Sequence, residues 1–333
     1  MAGSERLGVL LVQLGGPQSR EQLRPFLYEL FADPEILSIP FAPLRKALAW
    51  LIATTRAPKS AGTYEKIGWS PIRCWTEKQA SLLEERLGAG RSEPAPVVRA
   101  GMTCSAPFVE EALGELRAAG VTTLVVLPLY PQYSHTTTRG SFARTTRALA
   151  AMGWAPRRVD APPSWYDEPS FVAAHVERIR AAAATLPDPD PAATVLLYSA
   201  HSLPLSTVEK RGDTYPKDVE GTVAAIDAAL GGLYRSRLGY QSKVGPTRWL
   251  GPSTPEVIAG LAREGVRQVV VSPIAFVSDH VETLYEIRML FADEAARLGI
   301  GRFVAADGLN DHPLLIASLA ATVERTLAAA GRT

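Results

Sequence analysis

Short apolar runs rich in leucine and β-branched residues alternate along the whole chain with longer stretches of helical periodicity, and this alternation restricts the fold more than any other feature. The runs lie at Leu7–Leu14, Val97–Met102 and Thr122–Leu129, with a weaker one at Arg157–Val159. A second series follows at Ala193–Tyr198, Thr247–Leu250, Arg267–Ala275 and Gly301–Ala305. Near-continuous hydrophobicity marks strands buried on both faces, so the sequence predicts an α/β fold with parallel sheets flanked by helices. A final helix is expected over Pro313–Ala328. With 333 residues the chain is long enough for two domains, each with its own core. Pro162 and Pro163 cannot sit inside a central strand, which places the break near Asp160–Pro169. Domains over residues 6–161 and 162–330 are expected, with the last helix packing back on the first. The segment from Pro107 also lies without a gap on that from Pro252, pairing Glu111 with Glu256, Leu116 with Leu261, Gly120 with Gly265 and Pro128 with Pro273. One α/β unit used twice accounts for the match.

A formal charge of +1 argues against a broad nucleic-acid footprint. Two cysteines, Cys74 and Cys104, are too few for a Cys-rich cluster or structural zinc site, and their scarcity suits a reducing, cytoplasmic setting. Met1–Arg6 shows neither a signal-peptide nor a transit-peptide pattern. The apolar stretch Phe41–Ile52 is broken by Pro43, Arg45 and Lys46 and falls short of the roughly 20 residues a spanning helix needs. Within it Leu44, Leu48, Leu51 and Ile52 recur at helical spacing, which fits either a core-facing helix or an apolar lip that touches a membrane surface.

In open α/β sheets, ligands bind beyond the carboxyl ends of the strands. The first strand runs into Leu14-Gly15-Gly16-Pro17, a tight turn without the GxGxxG spacing of a dinucleotide site. The third runs into Tyr130–Ser141, dense in hydroxyls, which fits either an N-cap cluster or the polar edge of a ligand site. The fifth ends in Tyr198-Ser199-Ala200-His201-Ser202-Leu203-Pro204, and the seventh leads to Ser278-Asp279-His280-Val281-Glu282. Imidazole plus carboxylate can ligate a first-row divalent metal and supply a base. His201 and Glu282 are therefore candidates for both roles, with Asp279 and His280 placed to orient Glu282. His135 aligns with His280 in the repeat but sits among hydroxyls.

These motifs, followed by Arg211-Gly212-Asp213, Tyr215-Pro216, Tyr240–Pro246 and Trp249-Leu250-Gly251-Pro252, resemble the ferrochelatase family in order across nearly the whole second half. The resemblance implies two Rossmann-like domains with a porphyrin cleft between them. It also implies insertion of Fe²⁺, a substrate, into protoporphyrin IX, with His201 and Glu282 as the catalytic and metal-handling pair. Carried over residue by residue, Leu14, Arg56, Tyr64, Ser70, Trp249 and Phe276 fall where the family contacts the porphyrin. Two departures stand out: Ile67-Gly68-Trp69-Ser70-Pro71 is one residue shorter than the family's usual pattern, and Thr103-Cys104 replaces a common Arg-Tyr. No Cys-rich tail follows the last helix, so the iron–sulfur cluster of some members is not expected. Alternatives are a coproporphyrin III ferrochelatase, a cobalt or sirohaem-type chelatase, and a non-catalytic porphyrin or haem carrier.

Overall fold

The structure, a computed structural model, describes residues 5–89, 94–243 and 247–331. Val244–Pro246, part of one motif above, lie outside the described residues. The chain divides into two compact units. One comprises Met1–Tyr130, Ser134–Pro163 and Ile316–Thr333; the other comprises Pro131–Tyr133 and Ser164–Leu315.

The first unit is built on a parallel sheet of β1 (Leu7–Gln13), β2 (Val97–Met102), β3 (Thr123–Pro128) and β4 (Arg157–Asp160), in the order β2-β1-β3-β4. Val9 to Val12 and Leu124 to Leu127 are fully buried, as strands covered by helices on both faces must be. The second unit repeats the plan with β5 (Thr194–His201), β6 (Arg235–Gln241), β7 (Gln268–Pro273) and β8 (Arg302–Ala305), ordered β6-β5-β7-β8 and again parallel. The final helix, Pro313–Ala330, is apolar enough by length and composition to cross a membrane, yet its Leu319, Ala320 and Val323 are buried as in a core helix.

The repeat extends to local devices. Pro107 O accepts from Met102 N at 2.7 Å, and Pro252 O from Tyr240 N at 2.9 Å. Glu111 accepts from Phe108 N at 2.5 Å, and Glu256 from Ser253 N at 2.7 Å, closing the first turn of each following helix. A Cβ on Gly101 would lie 3.0 Å from the Val109 Cα, and one on Gly239 2.9 Å from the Thr254 Cα, so only glycine lets either helix approach its strand.

Two strand expectations need correction. Thr247–Leu250 is not a strand of the sheet; Trp249 makes only an isolated bridge to Pro204. The missing strand is β6, whose Arg235 and Arg237 hide it from a search for apolar runs, because β6 is an edge strand with one half-exposed end. β5 also continues past Tyr198 to His201, because Ser199, Ala200 and His201 pair with Gly239, Tyr240 and Gln241.

Candidate active site

His201 is the last residue of β5, and Glu282 opens a π-helix over Glu282–Phe291 that follows β7. His201 Nδ1 lies 2.8 Å from Glu282 Oε2, with the histidine side chain 36% and the glutamate 19% exposed. A proton on Nδ1 shared with the carboxylate leaves Nε2 with a lone pair that can accept a proton or bind a metal. His280 approaches from the other side, its Nε2 3.8 Å from Glu282 Oε1, while its Nδ1 donates to Ser278 O at 3.0 Å. The ring of Phe276 lies 4.5 Å from that of His280. The i→i+5 bonding of the π-helix widens each turn, so residues four apart fall on nearly one face, and Glu286 joins Glu282. Ser242, at φ 67°, links the two: its hydroxyl is 2.9 Å from Glu282 Oε2 and 2.7 Å from Glu286 Oε2. Gln241 Nε2 donates to Glu282 O at 3.2 Å and to Glu286 Oε2 at 3.3 Å.

The electrostatics follow from this crowding. Burial opposes protonation of His201, but the Glu282 charge and hydrogen bond outweigh it and hold the imidazole above its ordinary value. Burial likewise works against ionised Glu282, yet His201 and His280 hold it below the usual carboxylate range. Glu286 is pushed up to about 7 by burial and the Glu282 charge. The site thus pairs a proton-accepting imidazole with one ionised and one readily protonated carboxylate. Among the described residues no group of three or more His, Cys, Asp or Glu is arranged to hold a metal ion.

Of the residues matched to porphyrin contacts, the second unit places Phe276 beside His280, and Trp249 beside the Pro204 turn that follows His201. The Trp249 indole Nε1 is buried without a hydrogen-bond partner among the described residues. In the first unit Leu14 and Ser70 both flank the Gly15-Gly16 turn; a Cβ on Gly16 would lie 2.3 Å from Ser70 Oγ. The shortened loop is closed by Trp69 at φ 74°, its ring stacked on Tyr64 at 6.2 Å. Arg56 places its guanidinium 5.6 Å over the Phe31 ring. Leu14 also lines a cavity of about 10 Å³ with Asp33, Cys104, Tyr130, Thr136 and Thr137. Burial pushes the Cys104 thiol up to about 12, so it is held protonated.

Sequence reasoning passed over Ser242 and Glu286 as site residues. Glu286 carried a signal in its spacing of four from Glu282, whereas Ser242 lay inside the Tyr240–Pro246 motif but reaches the site through a left-handed backbone after β6 that the motif does not reveal.

The ferrochelatase family model matches residues 6–327. A ferrochelatase of Cyanothece sp. is 44% identical over 325 residues, covering 97% of this chain and 83% of its own length. One from Gloeobacter violaceus is 42% identical over 324 residues, covering 96% and 98%. Among solved structures, SirB from Bacillus subtilis with Fe³⁺ superposes with a TM-score of 0.55 at 14% identity, covering 96% of this chain and 95% of its own. SirB in complex with cobalt, described as a sirohydrochlorin chelatase, gives 0.52 at 14%. These last two support the fold alone. From the family match and the curated relatives together, the chain belongs to the ferrochelatase family, the enzymes that insert a metal ion into a porphyrin.

Proposed function

We propose that this enzyme inserts Fe²⁺ into protoporphyrin IX, giving protohaem and releasing two protons, as a step of haem biosynthesis. The observation that carries the reading is the 2.8 Å contact between His201 Nδ1 and Glu282 Oε2 at the end of β5. Pyrrole N–H groups are very weak acids inside a flat ring. Bending the ring to expose a nitrogen lone pair costs about 1–5 kcal/mol, drawn from binding elsewhere on the macrocycle. His201 Nε2 then accepts a pyrrole proton, and Glu282 stabilises the imidazolium that forms. Glu282 also presents carboxylate oxygen to the incoming Fe²⁺, so the metal's charge and the departing protons are exchanged at one place. Glu286, joined to Glu282 through the Ser242 hydroxyl, lies next in line to take up a proton from this pair. Loss of two protons on entry of a dication leaves the centre neutral, and a weak two-residue site favours product release over a closed trap.

The enzyme works in the cytoplasm, peripherally on the inner face of the cell membrane, without a prosthetic group. Support for the membrane contact comes from the helix Ala42–Lys66 and its flank, where Phe41, Leu44, Trp50 and Leu51 are 66, 56, 55 and 52% exposed. Replacing Leu48 and Leu51 by Ala should weaken liposome binding with folding intact; unchanged binding removes the membrane contact. Substrate identity is tested by anaerobic Fe²⁺ insertion into protoporphyrin and coproporphyrin separately. Faster turnover of protoporphyrin is expected. Preference for coproporphyrin assigns the enzyme to the tetracarboxylate ring instead.

A further inference from the structure

The π-helix that begins at Glu282 is gripped from behind by the loop after β8. Asn310 is the centre of that grip. Its Oδ1 accepts from Asp279 N at 2.8 Å and its Nδ2 donates to Asp279 Oδ2 at 2.8 Å, while its own N–H donates to Val277 O at 2.8 Å. Asp279 Oδ1 in turn accepts from Thr283 Oγ1 at 2.7 Å, and Thr283 Oγ1 accepts from His280 N at 3.1 Å. Asp279, Thr283 and Asn310 are all buried. The chain of bonds therefore runs through the residues on both sides of Glu282.

Two backbone features show how closely the loop is fitted. Asn310 holds φ 49°, a left-handed conformation that Asn adopts at little cost. A Cβ on Gly308 would lie 2.8 Å from the Asp279 carboxylate, so the loop passes too near for a side chain. Asp307 of the same loop pairs with Arg288 further along the π-helix. The loop thus holds the helix ahead of Glu282 and beyond Glu286.

We propose that Asn310 is a positioning residue for metal insertion: its amide fixes the backbone and carboxylate of Asp279 together, and so sets where the Glu282 carboxylate stands against His201. Only an amide offers the acceptor that Asp279 N requires and the donor that Asp279 Oδ2 requires. Removing it leaves a buried donor and a buried carboxylate oxygen without those partners, and the turn relaxes toward water at the expense of the Thr283 and His280 contacts. The inference rests on the reading of Glu282 as a metal ligand.

The test uses the full chain, with Co²⁺ alone as a spectroscopic probe of the metal site and with anaerobic Fe²⁺ insertion as the second readout. Asn310→Asp keeps the shape but removes the donor. Asn310→Gly keeps the left-handed backbone and removes the side chain, which guards against a variant that fails to fold. Each should raise the Co²⁺ Kd and the KM for Fe²⁺ by about 10–100-fold, with the KM for porphyrin within twofold. The exchange Asp279→Asn with Asn310→Asp restores donor and acceptors in swapped places and should bring both values back to within about threefold. Wild-type Co²⁺ affinity in both single variants, or an exchange that recovers nothing, overturns the role of Asn310 while Glu282→Gln still loses Co²⁺. Wild-type Co²⁺ affinity in Glu282→Gln overturns the metal-ligand reading itself.

Discussion

At corresponding ends of the two sheets, β1 runs into Leu14 and β5 into His201. The register fixes the correspondence: Val12 pairs with Pro128 as Ser199 pairs with Pro273, and Leu14 and His201 each stand two residues further on. Seven residues beyond those prolines stand His135 and His280, and nine beyond stand Thr137 and Glu282. In the first unit the strand end is lined mainly by aliphatic and hydroxyl side chains, with Asp33 and Cys104, around a cavity with room for about one water. In the second it holds an imidazole–carboxylate pair with a further carboxylate behind it. The same topology therefore supplies equivalent positions, and the side chains placed there decide whether the position does chemistry.

The sharpest way to break the comparison is to make the second unit resemble the first. His201→Leu should lower kcat for metal insertion by about 10²–10⁴-fold, the range lost with a general base, with folding intact by circular dichroism. A variant within tenfold of wild type would show that the imidazole is dispensable. The reverse change, Leu14→His, forces a polar ring into a cavity that Asp33 also lines but that has room for only about one water, too little to admit a hydrated metal ion. A loss of about 1–3 kcal/mol in urea unfolding and no gain in Co²⁺ binding are expected. New metal binding would mean that strand-end position alone creates a site.

A smaller effect concerns the second carboxylate, which has no counterpart in the first unit. Glu286 is raised from 4.5 to about 7, so the folded protein holds this proton more tightly than the unfolded chain does. Its contribution to stability is fully present at acid pH and is lost as pH rises from about 4.5 through about 7. Glu286→Gln cannot ionise and lacks that loss. Between pH 5 and pH 8 wild type should therefore lose melting temperature relative to the variant. Parallel pH profiles would contradict the assignment.

Much of this plan is legible in the chain because its strands are buried on both faces. Val9 to Val12 and Val269 to Val271 have no polar residue to blur them, and a histidine or glutamate just beyond such a run is conspicuous. β6 is not legible, since an edge strand can carry Arg235 and Arg237 at positions that a central strand must fill with apolar side chains. His201, His280 and Glu282 could be named from position alone, and the structure brings them together. Ser242 and Asn310 could not. Each acts through a left-handed backbone and a contact 31 or more residues away, which a local sequence pattern does not reveal.

The central claim is that the pair His201–Glu282 carries the exchange of protons for metal. Single-turnover insertion of Fe²⁺ into bound protoporphyrin, compared between wild type and Glu282→Gln under anaerobic conditions, tests it most directly. Insertion at least 100-fold slower, with porphyrin affinity unchanged, is the predicted result. A rate within twofold of wild type would contradict the account.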